Sequence, residues 1–107
     1  MKNKRTILKE LKNALVANFG TDIKDVILFG SRVTGKARKD SDYDVLIILN
    51  DDYNWEYERK ISNVVYDIEL ENDIFVDNKI ISTHELYHTI EGKHPLYQDA
   101  IKDGIHA

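Results

Sequence analysis

The chain has no cysteine among its 107 residues, so it holds neither a disulfide framework nor a cysteine-based zinc site. Its one proline and five glycines are scattered, and no repeat, low-complexity tract or interdomain linker interrupts it. No apolar run approaches the length of a membrane span. Excess positive charge is missing too. Fifteen Lys and Arg against nineteen Asp and Glu leave a net charge of −4. Broad nucleic-acid affinity rests on clustered cations that neutralise phosphates, so this balance argues for a nucleotide ligand rather than a polymer. The first residues, MKNKRTILKELKN, are charged and then amphipathic, which does not fit a signal peptide and sets a cytoplasmic location as the expectation.

What is present suits a single domain over residues 1–107, of mixed α/β character. Ile7, Leu8, Leu11, Leu15, Val16 and Phe19 form a helical stripe over 6–19 that Gly20 stops. A second helix is expected over 53–71, with Asn50, Asp51 and Asp52 supplying its turn and cap, and with Ile61, Val64, Val65 and Ile68 on one face. Trp55 and Tyr57 in its first turns read more readily as core than as a platform for a base. Residues 74–82, IFVDNKIIS, read as a strand. Ser82 and Glu85 make a capping box for a helix over 83–91 ended by Gly92. Pro95 then opens a last helix that runs to Gly104.

The chemistry concentrates between Val26 and Asn50. Two short apolar runs, 26–29 and 45–49, suit buried strands. The loop between them opens on Gly30-Ser31 and closes on Asp42-Tyr43-Asp44. A glycine at the end of a buried strand lets backbone approach a ligand, and Ser31 adds a hydroxyl and an amide that both donate to phosphate. A helix starting after Ser31 would strengthen that anion site. Asp42 and Asp44, two apart, point to the same side of a strand. Their repulsion calls for a cation, and hard oxygen ligands beside phosphate favour Mg²⁺. Arg32, Lys36, Arg38 and Lys39 place four cations in the same loop, suited to steering a nucleotide, although a solvated loop explains Lys36 and Lys39 nearly as well.

Gly30-Ser31, then Gly35, then Ser41-Asp42-Tyr43-Asp44-Val45-Leu46 resembles the signature of the DNA polymerase β-type nucleotidyltransferase superfamily, and within it the minimal nucleotidyltransferases. These are small prokaryotic proteins often paired with a helical HEPN partner in toxin–antitoxin modules. The resemblance implies a mixed sheet flanked by helices, in which Gly30 and Ser31, with Arg32, hold the triphosphate of ATP. It also implies two Mg²⁺ ions bound by Asp42, Asp44 and a third carboxylate, and transfer of AMP to a hydroxyl, for which a tyrosine of a HEPN-type toxin is the candidate. At this length, a partner or a second copy would complete the site.

The third carboxylate belongs on the strand beside Asp44. Asp77 is the acid in the 74–82 run, sharing a face with Phe75 and Lys79, while Asp73 precedes the run and Asp67 and Glu69 fall in the helix before it. Asp77 is therefore the choice. Without a third acid, a non-catalytic module that binds a nucleotide or a partner becomes the alternative. A second motif competes: His84-Glu85-Leu86-Tyr87-His88 matches His-Glu-x-x-His, the zinc-peptidase pattern. A catalytic zinc needs a third ligand, with His94 or Glu91 nearest, and two surface histidines on a short helix account better for the residues. Ser31 lacks a nucleophile elbow, because Phe29 and Val33 flank it where glycines are required.

Overall fold

The first helix forms where the apolar stripe repeats at helical spacing. The computed structural model describes residues 2–38 and 41–107. In it α1 spans Lys4–Phe19, and the Asn3 side chain accepts from the Thr6 N–H at 2.9 Å to cap its start. Gly20 ends it with φ of 59°, its N–H returning to the Val16 carbonyl. Ile7, Leu8, Leu11 and Leu15 are buried, and each such side chain contributes about 1.5–3 kcal/mol relative to exposure.

A short turn leads into β1, Ile23–Phe29, which pairs antiparallel with β2, Tyr43–Leu49. Helix α3, Trp55–Asn72, carries the chain back so that β3, Val76–Ser82, lies parallel to β2. Parallel neighbours require such a crossover. After α4, Thr83–His88, and α5, Pro95–Asp103, the two-residue β4, Ile105–His106, pairs antiparallel with β1. The sheet is mixed and four-stranded, in the order β3-β2-β1-β4. Between β1 and β2 sits the short α2, Ser31–Thr34.

The two faces of the sheet are covered unequally. Leu15, Val26, Leu28, Val45, Ile47, Leu49, Ile61 and Val65 build the larger core, with α1 and α3 over one face. On the other face Ile27, Leu46, Ile48 and Ile81 form a smaller core with Leu86 of α4 and Ala100 of α5, against which the partly buried Phe29, Tyr97 and Ile101 pack. Residues 45–49 are all buried, as a strand covered on both faces requires. Asp44, at the start of β2, points to the thinly covered face and stays partly exposed.

Several boundaries differ from those the sequence suggests. The cap of α3 is Asn54, whose side chain accepts from the Tyr57 N–H at 2.9 Å; Asp52 instead accepts from the buried Ser82 hydroxyl at 2.7 Å. Asp73 takes a left-handed conformation, φ 52°, at the end of α3, which delays the third strand from Ile74 to Val76. Helix α4 closes at His88 rather than at 91, and a single tight turn, Glu91–Lys93, precedes Pro95. Trp55 is not core. It is 65% exposed, with the Arg59 guanidinium 5.9 Å from its ring, while Tyr57 packs on Phe19 and donates to Asp22 at 2.6 Å.

Candidate active site

Phe29 and Asp44 are partners in the antiparallel ladder, and Asp44 and Asp77 are partners in the parallel one. Directly paired residues put their side chains on the same face of a sheet, with neighbouring strands about 4.8 Å apart. The register therefore brings the Asp44 and Asp77 carboxyls together beside the end of β1. The pairing runs past the strand end, because the Tyr43 N–H donates to the Phe75 carbonyl at 2.8 Å. Ile74 and Val76 pack against the large core, which leaves Asp77 and Lys79 on the opposite face.

Burial, followed by the charges of Asp77 and Asp42, pushes the Asp44 carboxyl above the ordinary carboxylate range, against the pull of Lys79. Asp42, Asp44 and Asp77 thus form one electrostatic unit. Lys79 partly offsets it, its ammonium 3.6 Å from the Asp77 carboxylate. The sequence placed Lys79 on this face but gave it no part.

Gly30 turns the chain from β1 into α2 with φ 77° and ψ −151°, a conformation essentially confined to glycine. A Cβ on it would land on the Asp44 carboxylate, with Asp44 Cγ only 3.1 Å away. Backbone and acid are in direct contact. The Val33 and Thr34 N–H groups donate to the Gly30 carbonyl at 3.0 and 3.2 Å, so the amides of Ser31 and Arg32 come before the first internal donor of the helix. Gly35 closes α2, its N–H returning to the Ser31 carbonyl.

The loop is braced from below by Arg32. Its guanidinium stands 4.2 Å from the centre of the buried Tyr43 ring and donates to the Ser41 carbonyl at 2.6 Å, and its own carbonyl accepts from Lys4 at 2.8 Å. Ser41 and Arg38 exchange two further bonds, at 2.8 and 3.0 Å. Tyr43 packs in the α1–α3 core, on the face away from Asp44, so Arg32 joins the loop to that core. Lys36 and Arg38 are exposed, and Lys39 lies outside the described residues.

A cleft of about 490 Å³ opens beside Gly30, lined by Phe29, Val33, Thr34 and, from α5, Leu96, Asp99 and Asp103. No sequence signal points to the α5 contribution, since it comes from more than sixty positions further along the chain. The family model for the nucleotidyltransferase domain matches residues 8–105. The chain belongs to the nucleotidyltransferase domain family. It is also 38% identical over 53 residues to a Methanocaldococcus jannaschii protein named "putative protein adenylyltransferase", a match covering 50% of this chain and 53% of that relative. The chain thus spans about half the length of the curated relative it matches.

In this nucleotidyltransferase domain Asp44, Asp77 and Lys79 share the thinly covered face of the sheet. The His84–His88 pair lies on α4, beyond the end of β3 opposite to Asp77. Those rings stack on each other with centroids 6.0 Å apart, and His84 meets Asp52 at 3.2 Å. Among the described residues no three His, Cys, Asp or Glu side chains already stand as a metal cage. No helix among them is long and apolar enough to cross a membrane.

Proposed function

We propose that the protein transfers AMP from ATP to an acceptor hydroxyl, that of a tyrosine on a HEPN-type helical partner, and so acts as an antitoxin in the cytoplasm. The observation that carries this reading is the contact of Gly30 with Asp44 in a register that pairs Asp44 with Asp77. A bare backbone for phosphate and a set of carboxylates for cations meet at one point. The relative's name, a protein adenylyltransferase, supports the choice of AMP and of a protein acceptor.

The residues suit divalent ions. Burial first, and then the charges of Asp77 and Asp42, raise Asp44, and all the donors of these acids are hard oxygens. Mg²⁺ ordinarily takes one or two carboxylates and completes its shell with water and phosphate oxygens, so a ready cage of three is not required. Asp42, Asp44 and Asp77 would hold two Mg²⁺ ions, which when bound neutralise charge at the α-phosphate and favour the ionised acceptor. Gly30 and Ser31 hold the β- and γ-phosphates by their amides and the Ser31 hydroxyl. Arg32 supports this by keeping the loop in place. The acceptor oxygen forms a bond to the α-phosphorus as the bond to the bridging oxygen breaks, pyrophosphate leaves, and the hydroxyl proton passes to a carboxylate of the acid set.

The test is co-expression with a HEPN-type protein encoded beside this chain, followed by mass measurement of the partner. One added adenylyl group is expected, lost in Asp42→Asn and Asp44→Asn variants that still fold. Full transfer by either variant would sink the assignment. Partner binding without any added group would establish the non-catalytic alternative.

A further inference from the structure

The cleft beside Gly30 has a neighbour. A second cavity, of about 640 Å³, shares Leu96 with it and extends from Lys79 of β3 to the segment 90–97. The two differ in charge. Asp99 and Asp103 line the first, whereas Lys79, Lys93 and His94 line the second against Glu91 alone. The His94 Nδ1 accepts from the Leu96 N–H at 3.1 Å to cap α5, so the ring proton sits on Nε2 and that nitrogen is a donor. Ile90, Leu96 and Tyr97 supply apolar and aromatic walls, and Ile90 is 87% exposed. Lys79 ties this cavity to the acid set, through its ion pair with Asp77 and its pull on Asp44.

A ring with an acidic group next to it matches these walls and donors. We propose that this cavity is the acceptor site and that its occupant is a tyrosine flanked by acidic residues on a protein segment. The phenol rests against Ile90, Leu96 and Tyr97, and the flanking carboxylate meets Lys93. The inference rests on the nucleotidyl-transfer reading above. In the transfer the phenolic oxygen bonds to the α-phosphorus, the bond from that phosphorus to the leaving pyrophosphate breaks, and the phenol proton goes to the acid set. A nucleic-acid acceptor is disfavoured because a chain of net charge −4 repels a polyanion at range, while Lys93 and the His94 Nε2 donor suffice for one carboxylate.

The test uses the full chain with Mg²⁺ and a non-hydrolysable ATP analogue, and follows fluorescence anisotropy of a labelled peptide with glutamates on both sides of one tyrosine. Its counterpart carries lysines instead. The acidic peptide should bind at least about tenfold more tightly, as expected for one hydrogen bond between charged groups, and Lys93→Glu should remove that preference. Lys93→Ala, expected to weaken it in the same direction, guards against misfolding of the charge-reversed variant. Calorimetric titration with Mg²⁺–ATP should be unchanged in both. Equal binding of the two peptides, or an unaltered preference in both variants, would overturn the proposal. So would tighter binding of a single-stranded oligonucleotide that Lys93→Glu abolishes. If the peptide preference persists but Mg²⁺–ATP does not bind, the transfer reading fails and the selectivity of the cavity stands.

Discussion

The space where a side chain on Gly30 would begin is filled by the carboxylate of Asp44. One contact therefore fixes both the turn that presents the Ser31 amide and the position of an acid in the candidate metal site. Gly30→Ala should suffer twice. Its φ of 77° is strained for any other residue, costing about 1–3 kcal/mol, and the new methyl must push Asp44 aside. Chemical denaturation should show the loss of stability, and calorimetry should show Mg²⁺–ATP affinity falling with it. Native affinity in a folded Gly30→Ala protein would place the nucleotide elsewhere.

Asp44 gives a prediction whose sign follows from its neighbours. Its carboxyl is raised by burial and by Asp77 and Asp42, so the folded state holds the Asp44 proton more tightly than the unfolded chain does. Such a group favours folding below the ordinary carboxylate range, and that contribution is lost as pH rises through the raised folded value. Asp44→Asn removes the charge, so the variant should be more stable than the native chain at neutral pH. The gain should disappear when both are measured in acid. Nucleotide transfer should be lost at every pH. A variant less stable than the native chain at neutral pH would contradict the repulsion.

Arg32 separates bracing from direct phosphate contact. A planar guanidinium over Tyr43 is not reproduced by an ammonium, so Arg32→Lys should lose most of what Arg32→Ala loses. The stacking alone is worth about 0.5–1 kcal/mol, or more where it is shielded from water. Thermal melts should place both variants below the native chain. If Arg32 instead touched the triphosphate directly, lysine would preserve stability and change chiefly the salt dependence of Mg²⁺–ATP binding.

Much of this arrangement is legible in the residues because the relevant signals are local. The apolar stripe from Ile7 to Leu15 specifies a helix, and the run 45–49 specifies a strand buried on both faces. Strand alternation relates Asp42 to Asp44 and Asp77 to Lys79, but not one strand to the other. The partnership of Asp44 with Asp77 depends on the length of α3 and on the left-handed turn at Asp73, which no pattern within β3 reports. The role of Arg32 was hidden for the same reason, since Tyr43 lies eleven positions away. The walls contributed by α5 and the pairing of β4 are longer-range still. Two residues, Ile105 and His106, are too few to show any period.

His106 fastens that last strand, and its fastening should depend on pH. Its Nδ1 lies 2.6 Å from Asp25 Oδ2 and its Nε2 2.9 Å from the Ile101 carbonyl. Both partners are acceptors, so both ring nitrogens donate only when the imidazole is protonated. The Ile101 carbonyl first, and then the Asp25 carboxylate, raise the His106 imidazole above its ordinary value despite partial burial. The resulting stability is fully present below the ordinary imidazole value of 6.5 and is lost as pH rises through the raised folded value. A second tie runs from the Lys12 ammonium to the Ala107 carbonyl at 3.0 Å. The expected result is an NMR titration of the His106 ring with its midpoint above 6.5, and a His106→Gln variant whose stability deficit is larger in mild acid than in mild alkali. Because the ring is partly exposed, solvent screening keeps the deficit modest. A deficit independent of pH would mean that the ring holds β4 by packing alone, and a midpoint at or below the ordinary value would remove the charged pair with Asp25.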